Sequence, residues 1–170
     1  MKLSTLFTLI RPRQWVKNIF VFAPLFFSPT LMRDGASIDV LLTFISFCLV
    51  ASGTYCFNDY RDRETDQLHP KKKLRPIAAG NVSPALALLL YAALSGGGLA
   101  LALTATRGGW IVFSYFILMS LYTLILKRFA IIDVLTIALG FVLRIEAGAA
   151  AAQVQPTVWI LVCTGMLALF

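Results

Sequence analysis

The sequence predicts an all-α fold, a polytopic bundle of transmembrane helices, and three observations carry that expectation. Hydrophobic residues make up 59% of the chain and charged residues only 14%, against about 25% charged in a soluble domain. The apolar residues fall in six long runs, at about 18–32, 38–58, 82–105, 109–126, 130–152 and 156–170, and about 20 apolar residues at about 1.5 Å rise span a bilayer core. The runs do not alternate with period two, as the strands of a spanning β-barrel would.

Each element has its own signals. Leu3, Leu6, Phe7 and Ile10 recur at i, i+3, i+4 and i+7. Residues 2–11 are therefore expected to form a short amphipathic helix in the membrane interface rather than a removable leader, with Trp15 as an aromatic anchor. The first span is short and holds Pro24 and Pro29, so it is expected to kink or tilt. The second continues as a helix into polar sequence. The third carries Gly96-Gly97-Gly98, and the fifth carries Gly140, Gly148 and the alanines from Ala147 to Ala152. Such small residues let helices in lipid approach closely. The sixth starts at Pro156 and is still apolar at Phe170, which reads as a cut within a span. Cys48, Cys56 and Cys163 sit in apolar runs without metal-ligand spacing and read as small hydrophobes.

The net charge of +7 does not point to nucleic acid, because its placement follows the membrane. With the N-terminus inside, the cytoplasmic positions receive Lys2, Arg11, Arg13, Lys17, Arg61, Arg63, Lys71, Lys72, Lys73, Arg75, Lys127 and Arg128. External loops receive only Arg33 and Arg107, and Arg144 falls inside the fifth span. That asymmetry is the positive-inside rule and predicts a multi-pass protein of a bacterial-type inner membrane.

One connection is longer than packing requires. Residues 59–81 form a cytoplasmic loop in an otherwise single-domain chain, 1–170, and with Asn58 they hold four of the eight acidic and six of the fifteen basic residues. Asn58, Asp62 and Asp66 are spaced i, i+4, i+8, which on a helix keeps them on one face with a drift of about 40° per step. All-oxygen donors of this kind suit Mg²⁺, which takes one or two carboxylates and shares its other positions with water and phosphate. Asp59 adjoins them, and Lys71, Lys72, Lys73 and Arg75 follow, so carboxylates for a metal and cations for a polyphosphate stand side by side. Arg75 supplies a guanidinium for bidentate phosphate contact. His69, the only histidine, precedes Pro70 and reads as a turn residue. Tyr122, Lys127 and Asp133 flank the second cytoplasmic connection, with Asp133 favourable at a helix start. Arg144, with Glu146 nearby, is an ionisable residue inside a span and is expected to face the central cavity.

The stretch Asn58-Asp59-x-x-Asp62-x-x-x-Asp66, then His69-Pro70-x-Lys72 and Arg75-Pro76-Ile77-Ala78-Ala79-Gly80, resembles the first acidic motif of the UbiA superfamily of intramembrane prenyltransferases. Arg11-Pro12-Arg13-Gln14-Trp15-Val16-Lys17-Asn18 and Arg144 in its FVLRIEAG context resemble the branch of decaprenyl-phosphate phosphoribosyltransferases. The resemblance implies about nine spans around a cavity open to lipid and cytoplasm, six of them present here. It implies Mg²⁺ on Asn58, Asp62 and Asp66 as the catalytic set, and substrate contacts from Lys17, Asp59, Lys72, Lys73, Arg75, Tyr122, Lys127 and Arg144. It also implies a second polar motif after span six, so the 170 residues by themselves are expected to be an incomplete, inactive unit. The expected partners are a polyprenyl lipid in the bilayer and a diphosphate-bearing cosubstrate, with no oligomeric state specified. The leading activity is transfer of phosphoribose from phosphoribosyl pyrophosphate to a polyprenyl phosphate. Prenyl transfer from a polyprenyl diphosphate to an aromatic or other small acceptor is the alternative. Transport, supported only by Arg144 and Glu146, ranks behind both.

Overall fold

A computed structural model describes residues 3–28 and 36–169, and among them every regular element is a helix. α1 (Leu3–Ile10) is followed by a 3-10 helix (Pro12–Phe22) and a single α-turn, α2 (Ala23–Phe26). The long helix α3 (Ala36–Leu68) leads to a 3-10 turn at Lys72–Leu74, then to α4 (Pro84–Ala105) and α5 (Gly109–Leu124). A 3-10 turn at Leu126–Arg128 precedes α6 (Ala130–Ala152), and α7 (Val158–Leu169) follows. The side chain of Leu3, together with Lys2, Pro29, Arg33 and Phe170, lies outside the described residues.

α3 and α4 are long and apolar enough to cross a membrane, and α5 and α7 are shorter apolar helices. Large apolar side chains such as Phe27, Leu89, Trp110, Ile131 and Trp159 point outward, an arrangement costly in water and favourable in lipid. α3 is the axis of the assembly. It packs along α4 and touches α1, the 3-10 helix, α5 and α6. Its 33 residues reach about 50 Å at about 1.5 Å per residue, well beyond a bilayer core of about 30 Å. The surplus is the segment Asp59–Leu68, so the first half of the predicted loop is the projecting end of α3.

The rest of that loop is docked rather than free. Ile77, Ala78 and Val82 are buried, and Ile77 and Val82 share a cluster with Leu9, Cys56 and Ala87. The Pro76 carbonyl accepts from the backbone N–H groups of Asn81 and Val82, and Gly80 takes the left-handed φ of 73° that lets the turn close. Ser83 then caps α4, its Oγ accepting from Leu86 N at 3.3 Å with Pro84 in the first turn.

The N-terminal segment departs most from expectation. α1 buries Leu9, with Leu6 and Ile10 half-buried and Phe7 exposed, so the helix docks on the loop cluster through a neighbouring face. Trp15 is not a free anchor: its Nε1 donates to Ser52 Oγ at 2.9 Å, and Ser52 Oγ donates to the Ile10 carbonyl at 2.8 Å. The predicted first span begins as a 3-10 helix laid between α3 and α6. Gly148 makes this possible, since a Cβ there would collide with the Val21 carbonyl. Of the glycine triplet only Gly98 packs, against Leu49 and Val50 of α3; Gly96 and Gly97 face open space. Cys48 and Cys56 are buried as small hydrophobes, whereas Cys163 is exposed.

Candidate functional site

The chemistry is set by the azimuths of four side chains on the projecting end of α3. Taking about 100° per residue, Asp62 lies about 40° from Asn58, whereas Asp66 has drifted about 80° and Asp59 lies about 100° away. The ladder therefore splits into two pairs. Asn58 and Asp62 face α5 and the following turn, where Lys127 Nζ donates to Asn58 Oδ1 at 3.1 Å and also to Asp62 Oδ1. Asp59 and Asp66 face the loop, and Arg75 Nη1 lies 3.2 Å from Asp59 Oδ1 and 2.7 Å from Asp66 Oδ2. Arg11 completes this second group, its Nη2 donating to both oxygens of Asp59 at 2.6 and 2.8 Å.

Between the two groups opens a cavity of about 280 Å³. Its charged rim consists of Arg11, Lys72 and Arg75 against a single carboxylate, Asp62. Thr54, Tyr55, Asn58, Met119, Tyr122 and Thr123 complete its lining. With their ion-pair partners counted, four cations (Arg11, Lys72, Arg75 and Lys127) meet three carboxylates (Asp59, Asp62 and Asp66), a small positive excess that favours an anion.

Five of the predicted residues line this cavity, Asn58, Asp62, Lys72, Arg75 and Tyr122, and Lys127 joins them through its bonds to Asn58 and Asp62. The others do not line this cavity. Asp59 is buried behind it, 1% exposed, and Asp66 is engaged by Arg75. Lys73 is exposed on the loop. Lys17 borders a separate apolar cleft with Phe20 and Phe141, between the 3-10 helix, α6 and α7. Arg144, expected to face the cavity, is instead closed into the core, 5% exposed. Its Nε donates to Asn18 Oδ1 at 2.8 Å, Nη1 to the Gly140 carbonyl at 2.6 Å and Nη2 to Tyr115 Oη at 3.0 Å. The rings of Phe47, Tyr115 and Phe141 surround it. The reason is geometric: Arg144 lies on the α6 face that meets the 3-10 helix, where the buried Asn18 supplies an acceptor for Nε. His69 is a turn residue as expected, its Nδ1 accepting from the backbone N–H groups of Lys71 and Lys72. Asp133 lies in the first turn of α6, where the helix dipole favours it.

Arg11 is the charged cavity residue that the sequence reading named for topology and for the opening motif but not as a site residue; Thr54, Tyr55, Met119 and Thr123 were not singled out either. The partner of Arg11, Asp59, is 48 positions away, and the one local sign was the Arg11-Pro12 junction.

Whether a metal fits can be judged from the donors. Among the described residues no group of three His, Cys, Asp or Glu side chains converges. Asn58 and Asp62 do converge, and an ammonium already bridges them. Two oxygens beside a cationic rim suit Mg²⁺ completed by water and phosphate oxygens better than an all-protein cage.

A family model described as the UbiA prenyltransferase family matches residues 19–170. The chain belongs to this family. It is therefore an integral membrane protein. Decaprenyl-phosphate phosphoribosyltransferase of Mycolicibacterium smegmatis is 37% identical over 98% of the chain and 54% of its own length. The enzyme of the same name from Corynebacterium glutamicum is 36% identical over 95% of the chain and 50% of its own length. The chain spans about half the length of these curated relatives. A UbiA homolog from Archaeoglobus fulgidus, solved bound to DMAPP and Mg²⁺, superposes with a TM-score of 0.78 at 22% identity, over 96% of this chain and 59% of that one. This last likeness is one of fold.

Proposed function

We propose that this protein is a Mg²⁺-dependent intramembrane transferase that moves phosphoribose from phosphoribosyl pyrophosphate to a polyprenyl phosphate. The observation that carries the reading is the cavity at one end of the bundle, where a three-cation rim meets Asn58 and Asp62. The names of the relatives matched over nearly the whole chain support the phosphoribosyl branch. The sidedness follows the basic residues: α1, the α3 projection and the Leu126–Arg128 turn face the cytoplasm of a bacterial-type inner membrane.

Asn58 and Asp62 would hold Mg²⁺; Asp66, the third residue of the expected set, faces the loop and is engaged by Arg75. When bound, the metal neutralises the diphosphate and eases its departure. Arg11, Lys72 and Arg75 grip the diphosphate oxygens, and Lys127 exchanges its carboxylate partner for phosphate. An acceptor phosphate oxygen then forms a bond to the anomeric carbon. The bond from that carbon to pyrophosphate breaks, and its electron pair leaves with the pyrophosphate. Such an acceptor is already an anion at neutral pH and needs no general base. This agrees with a cavity whose lining includes no histidine, His69 being engaged in its turn. Tyr122 and Thr123 border the space for the ribose hydroxyls.

The test supplies radiolabelled phosphoribosyl pyrophosphate and polyprenyl phosphate to the full-length parent protein in nanodiscs with Mg²⁺. Label is expected in the lipid extract with the wild type and not with Asp62→Asn. Mg²⁺-dependent consumption of a polyprenyl diphosphate, without phosphoribosyl transfer, would move the substrate assignment to the prenylating branch. No turnover of either would count against the transferase reading.

A further inference from the structure

We propose that Asp59 is a positioning residue, whose buried carboxylate fixes Arg11 and Arg75 as a two-guanidinium clamp for the diphosphate. The inference rests on the diphosphate reading of the cavity and assigns the residue that shapes its cationic wall.

Asp59 is the acidic neighbour of Asn58, yet it cannot act as Asn58 does. Its carboxylate is 1% exposed and its oxygens accept from Arg11 Nη2 at 2.6 and 2.8 Å, with Arg75 Nη1 at 3.2 Å. Arg11 and Arg75 are about a quarter exposed and both line the cavity. Each guanidinium has five N–H donors, and the carboxylates engage only Nη2 of Arg11 and Nη1 of Arg75. Among the described residues, these contacts leave the other guanidinium donors for a ligand. Two guanidiniums this close repel each other, most strongly where water is scarce. A shared anion between them removes that penalty and sets their spacing.

The backbone gives an independent sign. Arg11 is one of two described non-glycine residues with positive φ, at φ 51° and ψ 58°. Arg11 is the residue that ends α1, its N–H donating to the Phe7 carbonyl at 3.1 Å. The left-handed conformation is common at that position but is usually taken by glycine; with a Cβ it costs energy that the surroundings offset. Three contacts do so: the paired bonds to Asp59, the Ser52 hydroxyl on the Ile10 carbonyl, and the guanidinium over the Tyr55 ring at 5.1 Å. Tyr55 also lines the cavity. The strain aims Arg11 at the same space that Arg75 enters from the opposite loop. Arg75 is held in turn by Asp66, so the clamp and the acidic ladder share one network.

The test separates positioning from metal ligation by using two probes on the protein in nanodiscs: Mn²⁺ alone, followed by electron paramagnetic resonance, and inorganic pyrophosphate with Mg²⁺, followed by calorimetry. Asp59→Asn is expected to leave Mn²⁺ affinity unchanged and to weaken pyrophosphate about tenfold, the effect of one charge-assisted hydrogen bond. Arg11→Ala is expected to do the same. The double variant is expected to lose less than the product of the two single losses, because Asp59 acts in part through Arg11 and in part through Arg75. In turnover, KM for the diphosphate substrate rises more than kcat falls. Weakened Mn²⁺ binding in Asp59→Asn would make Asp59 a metal ligand and overturn the proposal, as would an unchanged pyrophosphate affinity or multiplicative losses in the double variant. Should Asp59→Asn fail to fold, Arg11→Lys decides: it keeps the charge but not the paired bonds, so a tenfold loss supports the clamp and no loss overturns it. A wild type that binds neither probe would remove the diphosphate reading and this inference with it.

Discussion

Replacing Arg144 with methionine separates a structural role from a substrate-binding one. The guanidinium has no carboxylate among its described partners; it is held by Asn18, the Gly140 carbonyl and Tyr115, within three aromatic rings. Methionine fills similar volume but orphans Asn18 Oδ1, on a side chain 1% exposed, at about 1–3 kcal/mol. Loss of the ring contacts adds about 1–2 kcal/mol. Against this, a buried cation costs several kcal/mol to desolvate, and methionine recovers part of that. A net loss of about 1–3 kcal/mol follows, or about 2–12 °C in apparent Tm at about 2–4 °C per kcal/mol. The assay is thermal unfolding by intrinsic fluorescence in detergent, with pyrophosphate affinity measured on the protein that remains folded. An unchanged Tm together with lost pyrophosphate binding would refute the structural role and make Arg144 a ligand.

Two further outcomes follow from the same geometry. Lys127→Met removes the ammonium that bridges Asn58 and Asp62; Mn²⁺ should then bind about two- to fivefold more tightly without pyrophosphate, since the competing ion pair is gone, while pyrophosphate binds more weakly. Equal or weaker Mn²⁺ binding would mean that Lys127 does not hold the metal position. Gly148→Val should lower the apparent Tm by several degrees, because its side chain meets the Val21 carbonyl at an overpacking cost of about 1–3 kcal/mol. Gly96→Val, which meets open space, serves as the comparison and should leave Tm unchanged.

The architecture was largely legible because lipid forces long apolar helices, and α3 to α7 fall on the predicted runs. The 3-10 helix at Pro12–Phe22 was not, since its conformation depends on the α3 and α6 surfaces that receive it: Ser52 for Trp15, Cys48 and Arg144 for Asn18, Gly148 for Val21. Within the site, the local i, i+4 relation of Asn58 and Asp62 was readable, and so was the cation cluster beyond them. The separation of Asp66 could also have been read, because its drift of about 80° brings it nearly onto the azimuth of Asp59. The pairing of Arg11 with Asp59 could not, because it joins elements 48 positions apart and both residues had sufficient local explanations. Arg144 and Asn18, 126 positions apart, show the same limit: a charge inside a span marks importance without naming its partner.

The most direct test of the central claim, that Asn58 and Asp62 present a metal to a diphosphate in this cavity, is pulsed electron paramagnetic resonance on Mn²⁺-loaded protein in nanodiscs with inorganic pyrophosphate. The expected result is phosphorus hyperfine coupling to bound Mn²⁺ that disappears in Asn58→Ala and Asp62→Asn and persists in Lys73→Ala. Coupling that survives both substitutions, or Mn²⁺ that binds without any phosphorus coupling, would contradict it.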